Sequence, residues 1–255
     1  MLNFVNNNLL NETISPLDQF NIIDFLSLNI LNNFHISITN IGFYLTIGFT
    51  FILITSILST NLNKIVSNAW SISQESIYAT LHSIVINQIN SKNGQLYFPF
   101  IYSLFIFILI SNLIGMIPYS FASTSHFVLT FFLSFSVVLG ATIIGFQNHG
   151  LKFFSLLVPS GCPLALLEFI SYLARNISLG LRLAANVTAG HMLLHILSGF
   201  TYNIISSGFI FAVIGLIPLA FIIAFSCLEL GIAVIQAQVF VVLTCSYIKD
   251  GLDLH

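Results

Sequence analysis

Glu168, Arg175 and Arg182 recur every seven residues within the apolar stretch Glu168-Phe-Ile-Ser-Tyr-Leu-Ala-Arg175-Asn-Ile-Ser-Leu-Gly-Leu-Arg182-Leu-Ala-Ala-Asn186-Val-Thr-Ala-Gly-His191. On a helix this spacing puts all three on one face, drifting about 20° per heptad. Asn186 falls one turn beyond Arg182 on nearly the same face. His191, nine residues past Arg182, falls about 180° round and about 13 Å further along. A second apolar stretch carries Glu229 and Gln236, again seven apart, and ends at Lys249-Asp250. Carboxylates and imidazole take up and release protons, whereas a guanidinium stays charged and cannot relay them. Polar groups on opposite helix faces at different depths suit two separate aqueous pockets. If the two stretches form an antiparallel hairpin, Glu229 can approach His191 near the outer side, Glu168 and Asp250 approach the inner side, and Arg182 lies between. The pattern reads as a proton path interrupted by a fixed positive charge.

An ionisable group at the centre of a membrane helix costs roughly 2.5–3.5 kcal/mol even on the lenient insertion scale, so charges here read as functional. Arg182 could discharge a protonated carboxylic acid by stabilising its anion. At about 4 Å and an effective dielectric near 20 the attraction is about 4 kcal/mol, roughly three pKa units. That offsets much of the desolvation that keeps a membrane-buried acid neutral. The same charge repels a hydronium that would leak past. Both effects suit a gate between two half-channels.

Such residues need a membrane around them, and the composition supplies one. The chain has 255 residues, 57% hydrophobic and 5% charged, with a mean hydropathy of +1.00. An average soluble domain is about 25% charged, and a water-soluble globule of this size could not cover so much apolar surface. The net charge of −2 leaves no basic footprint for a polyanion. A soluble enzyme and a nucleic-acid binder are excluded. Cys162, Cys227 and Cys245 lie far apart and read as buried apolar fillers, with neither a disulfide framework nor a metal site indicated. The first cation is Lys64, so an Arg-rich leader is not expected and the chain inserts by its own spans. The 26 Phe and the Asn-rich start fit an AT-rich coding genome such as an organelle's.

The expected fold is an all-α polytopic membrane protein forming one domain over residues 1–255. Residues 1–40 read as an N-terminal arm and 41–62 as a span long enough for about 30 Å of hydrocarbon. Residues 69–91 read as an interfacial amphipathic helix with Trp70, Ile77, Leu81, Ile84 and Val85 on one face, and Ser71-x-x-Gln74 offers a capping box. Spans follow at 98–118 and 127–147, where Ala141 and Gly145 form a small-xxx-small pair. Residues 164–199 and 205–248 are too long for upright spans: about 36 residues make a helix of about 54 Å. They read as a steeply tilted hairpin, with Gly180, Gly190 and Pro218 as possible bends. Lys64, Lys92, Lys152 and Lys249 fall on the inner side after one, three and five crossings, which puts the acidic N-terminus outside.

The stretch Ser178-Leu-Gly-Leu-Arg182-Leu-Ala-Ala-Asn186-Val-Thr-Ala-Gly190-His191 resembles the signature of the subunit a family of F-type ATP synthases, in its mitochondrial form. Ser15-Pro-Leu-Asp-Gln-Phe20, Asn112-Leu-Ile-Gly-Met-Ile-Pro118-Tyr-Ser-Phe, Leu228-Glu-Leu-Gly-Ile-Ala-Val-Ile-Gln236-Ala and Ser246-Tyr-Ile-Lys-Asp250 carry the resemblance from about residue 15 to the C-terminus. The resemblance implies a proton-conducting stator subunit beside a rotating c-ring of small membrane subunits, with peripheral-stalk and other membrane-sector subunits as further partners. It implies the mitochondrial inner membrane, with the N-terminus on the intermembrane side and the C-terminus in the matrix. Arg182 falls on the family's essential arginine. His191 and Glu229 match the pair lining the intermembrane-side channel, where bacterial relatives carry the two residue types swapped. Glu168 and Asp250 match acidic positions of the matrix-side channel, Asn186 and Gln236 polar neighbours of the arginine, and Arg175 a second arginine. The segment from Cys162 to Leu167 is shorter than the Pro-rich stretch usual in the family. No cofactor, metal, nucleic acid or direct nucleotide contact is implied, and the chain has no Gly-x-x-x-x-Gly-Lys loop.

Each chemical reading has a plainer counterpart. Arg182 could snorkel from a helix end, Arg175 could pair with a neighbouring acid, and Glu168 and Glu229 could be protonated packing residues. His191 and His195 could be satisfied buried histidines, and Asp250 a solvated terminal charge. Asn186 and Gln236 could hold the hairpin together. Gly180, Ala184, Ala185, Ala189 and Gly190 could merely permit tight packing within this subunit, and read better as a surface for the ring's helices, while Asn112, His126 and His149 carry no decisive signal. A proton-coupled secondary transporter, which competition by a small solute would reveal, and a structural membrane anchor, which would tolerate neutral replacements of the charges, are the alternative functions.

Overall fold

The computed structural model describes residues 17–30, 34–60, 68–89, 91–117, 120–150 and 162–252. A 3-10 turn, Asp18–Phe20, leads into a hairpin of β1 (Asp24–Ile30) and β2 (Phe34–Thr39), and a second 3-10 turn, Ser123–Ser125, precedes the fourth helix. The helices are α1 (Asn40–Ser59), α2 (Ala69–Ile89), α3 (Ser91–Gly115), α4 (Phe127–His149), α5 (Cys162–Ser206), α6 (Phe209–Ile214) and α7 (Leu216–Leu252). Five of them, α1, α3, α4, α5 and α7, contain windows long and apolar enough to cross a membrane. The chain is an all-α polytopic membrane protein. Lys64, Pro118, Tyr119, Lys152 and Pro159-Ser-Gly161 lie outside the described residues, as do the side chains of Lys92 and Glu168.

Lipid offers no hydrogen bonds, so helices that satisfy their own backbone are the structures this sequence can adopt across a bilayer. The hydroxyls follow the same rule. In α1, Thr46, Thr50 and Ser56 each donate to the carbonyl three residues back, at 2.7–2.8 Å. α5 has 45 residues and a length of about 68 Å, against a hydrocarbon core of about 30 Å. It passes through Gly180 and Gly190 without interruption, and the chain instead breaks at Ser207-Gly208 and Gly215. Gly208 has φ 154°, in the region that favours glycine.

The core forms where α3, α4, α5 and α7 meet. Ile101 and Ile108 of α3, Leu179 and Leu183 of α5, and Phe240 and Val241 of α7 are almost wholly buried. Glycines permit the closest approaches. A β-carbon on Gly180 would lie 3.0 Å from Phe131 and Ser134 of α4. One on Gly251 would lie 2.8 Å from the Ala141 carbonyl oxygen and 3.5 Å from the Gly145 nitrogen, so the small pair on α4 seats the end of α7.

Three local expectations change. The arm carries a strand pair, in register Leu26↔Ile38 and Leu28↔Ile36, because Leu26-Ser-Leu-Asn-Ile30 and Phe34-His-Ile-Ser-Ile-Thr39 alternate with period two. Ser71 is no cap. Its hydroxyl donates to the Asn68 carbonyl at 2.7 Å, and Gln74 instead accepts from the Tyr102 phenol at 2.8 Å. α2 starts three residues too early for the capping box, and its inward face runs through Leu81, Val85 and Ile89 while Trp70 is exposed. Cys245 is a buried free thiol, but Cys227 faces outward on α7.

Candidate functional site

α5 and α7 pack side by side and set their polar groups in opposite order. His191 and Glu229 face each other with Nε2 and Oε1 3.8 Å apart, both side chains largely buried at 18% and 11% exposure. Asn186 Nδ2 donates to Gln236 Oε1 at 3.0 Å. Arg175 Nη1 lies 3.3 Å from Asp250 Oδ2 in a half-exposed pair. Arg182 falls between these rungs on the outward face of α5. Tyr247 of α7 is buried three residues before Asp250.

The small residues of α5 divide between two faces. Ala185 and Ala189 point outward beside Arg182 and Asn186, while Gly180 and Ala184 are buried. Gly190 turns toward α7: its missing β-carbon would lie 2.6 Å from Glu229 Oε1. Gly180, Ala184 and Gly190 therefore serve packing inside this chain, and only the alanine stripe remains for an outside helix.

Two voids meet at the His191–Glu229 pair. A cleft of about 880 Å³ opens beside the arm and is lined by Gln19, Tyr44, Phe121, His195 and Ser226 as well as by the pair itself. On the other side of the pair a void of about 20 Å³ is lined by Asn112, Asn186, His191, Glu229 and Gln236. That is room for a single water. Of the residues lining it, Asn112, His191 and Glu229 have Oδ1, Nε2 and Oε2 buried without a hydrogen-bond partner among the described residues, and such atoms call for water. Asn112 is 2% exposed, with Nδ2 3.5 Å from the Ala233 carbonyl. In the sequence it is marked by its polarity in a charge-free span and by the motif that it opens.

His126 lies beyond the cleft, stacked on Phe121 with ring centroids 5.1 Å apart, and burial pushes its imidazole pKa down. His149 Nε2 lies 2.9 Å from the Leu252 carbonyl and ties the ends of α4 and α7 together. Among the described residues no three His, Cys, Asp or Glu side chains gather in a metal-binding cluster.

The family model described as ATP synthase A chain matches residues 41–249, which include α5 and α7 as far as Lys249. The chain belongs to that family. Its function is the family's: it is the proton-translocating stator subunit of an ATP synthase membrane sector. Proteins named ATP synthase subunit a in Neurospora crassa and Podospora anserina are 74% and 76% identical to it, over 98% and 94% of each chain. One of the same name in Emericella nidulans is 72% identical over 96% of this chain and 98% of its own. The chain is thus part of a rotary enzyme and works among other membrane-sector subunits.

Proposed function

We propose that this chain conducts protons through two offset half-channels separated by Arg182. The observation that carries the reading is the split at the His191–Glu229 pair: a wide cleft ends on it, and a water-sized void continues to Asn186 and Gln236. A proton entering the cleft reaches His191 and Glu229, crosses the void by way of one water, and arrives beside Arg182. There it neutralises a carboxylate of the c-ring, which runs along the outward stripe of Ala185, Ala189, Arg182 and Asn186. Arg182 receives each returning acid, stabilises its anion and blocks the direct route between the two channels.

The second half-channel leaves past Glu168, Arg175, Tyr247 and Asp250 at the opposite end of the hairpin. The arm and the cleft face the intermembrane side of the mitochondrial inner membrane, and the C-terminus faces the matrix. Each proton then brings about 2.3 kcal/mol per 100 mV to ring rotation. Peripheral-stalk subunits hold the chain still against that torque, and nucleotide chemistry belongs to other subunits.

Side-specific labelling tests this reading. With Cys227 replaced by serine, Ser226→Cys in the cleft and Ser246→Cys one turn before Asp250 are exposed to a membrane-impermeant thiol reagent. Each is expected to react from one side only, Ser226→Cys from the arm side and Ser246→Cys from the other. Reaction of either from both sides would mean a continuous pore and contradict the split.

A further inference from the structure

The arm lines the cleft with Gln19 and Phe25 and sets one ring, that of Phe20, against His191. Of the described residues from Leu17 to Ser27, only Phe20 is drawn out of solvent; its neighbours on both sides are exposed. Its ring meets the imidazole of His191 edge-on, with centroids 6.5 Å apart and planes at 83°. That arrangement is one of the two favoured for an aromatic pair, because ring edges and faces carry opposite partial charge.

No hydrogen bond among the described residues fixes the buried Nε2 end of His191, and Glu229 at 3.8 Å is beyond hydrogen-bond reach. The backbone behind Phe20 is tethered. Asn40, the first residue of α1, donates its side-chain amide to the Asn21 carbonyl at 3.4 Å and its backbone N–H to the Ile23 carbonyl at 3.1 Å. Phe25 stacks on Phe43 of α1 with centroids 5.0 Å apart. A chain of contacts therefore runs from α1 through the arm to the imidazole.

We propose that Phe20 is a positioning residue for His191: the arm seats its ring against the imidazole and holds that ring turned toward Glu229 at the head of the cleft. The role rests on the reading of His191 as part of the proton path. Without Phe20 the imidazole gains rotamers that point into the cleft, and the fraction of time in which it can exchange a proton toward Glu229 falls. The aromatic edge carries the effect, so a filler of similar volume does not replace it.

The test uses intact ATP synthase in inner-membrane vesicles, with assembly followed in parallel. ATP synthesis is measured at a fixed proton-motive force for Phe20→Ala, Phe20→Leu, Phe20→Tyr and His191→Ala. Phe20→Ala and Phe20→Leu are expected to slow synthesis roughly three- to tenfold, the factor an edge-on aromatic pair is worth, while Phe20→Tyr stays near the parent rate. Asn40→Ala loosens the tether without touching either ring and is expected to shift the rate the same way, which gives a readout even if a Phe20 variant assembles poorly. A Phe20→Leu rate equal to that of Phe20→Tyr would make the ring a space filler and overturn the proposal, as would an unchanged Phe20→Ala. Loss in His191→Ala with none in Phe20→Leu overturns the positioning role alone. An unchanged His191→Ala overturns it together with the reading on which it rests.

Discussion

The Glu229 carboxyl occupies the space that a β-carbon on residue 190 would need, with Oε1 2.6 Å and Cδ 2.9 Å from that position. Gly190 thus forms the seat of the carboxyl beside His191, and α7 supplies the group that fills it. Gly190→Ala is expected to push the carboxyl away from the imidazole and leave the helix intact, since alanine favours helix more than glycine does. A misplacement of about 1 Å in a reacting group can cost on the order of a hundredfold. ATP synthesis should fall steeply in assembled complexes, and adding Glu229→Asp, which withdraws the carboxyl by one methylene, should restore part of it. Full activity in Gly190→Ala alone would show that the seat is not needed.

Asn186 and Gln236 join α5 to α7 through one hydrogen bond. Interhelical bonds of this kind contribute about 0.6 kcal/mol on average and about 1.7 at most. A double-mutant cycle with Asn186→Ala and Gln236→Ala, read as thermal stability of the detergent-solubilised complex, should give a coupling in that range. Proton-driven synthesis should fall by more than so small a loss of stability explains, because both side chains also line the water-sized void. Additive effects on stability would contradict the bond.

The Arg175–Asp250 pair is half-exposed, and exposed ion pairs contribute about 0–1 kcal/mol. Asp250→Asn should therefore leave assembly and stability nearly unchanged. A slower proton exit toward the C-terminal side, seen as reduced synthesis at unchanged assembly, would mark Asp250 as part of the path. Unchanged synthesis would leave it a surface charge.

Much of this architecture is legible in the residues. The apolar runs mark the membrane helices, the heptad of charges marks one face of α5, and the antiparallel order follows from placing Glu229 opposite His191. The direction in which small residues face is not legible, because a helix that is apolar all round carries no amphipathic signal for its inner side. Gly190 and Ala189 are adjacent and chemically alike, yet one receives the Glu229 carboxyl and the other faces out. Asn112 is hidden for the same reason, since only the fold reveals that its span crosses α7 at Ala233. The strand pair in the arm was present as a period-two alternation in Leu26–Ile30 and Phe34–Thr39, weaker to the eye than the apolar runs beside it.

Two glycines outside the site test the packing directly. A β-carbon on Gly251 would meet the Ala141 carbonyl oxygen at 2.8 Å, whereas one on Gly140 would meet nothing within 4 Å. Gly251→Ala should displace the end of α7 from α4 and lower the thermal stability of the complex, with a loss of synthesis because Asp250 moves with it. Gly140→Ala should be tolerated. Equal tolerance of both would mean that the last turn of α7 is not clamped on α4.

The central claim is that Arg182 separates the two proton routes while serving the ring's carboxylates. Its most direct test is proton-driven ATP synthesis and passive proton leak, measured together in vesicles carrying Arg182→Ala with assembly verified. Synthesis is expected to be lost in fully assembled complexes, and leak across the membrane sector to rise as the barrier charge disappears. Normal synthesis in the assembled variant would contradict the account and leave Arg182 a structural charge.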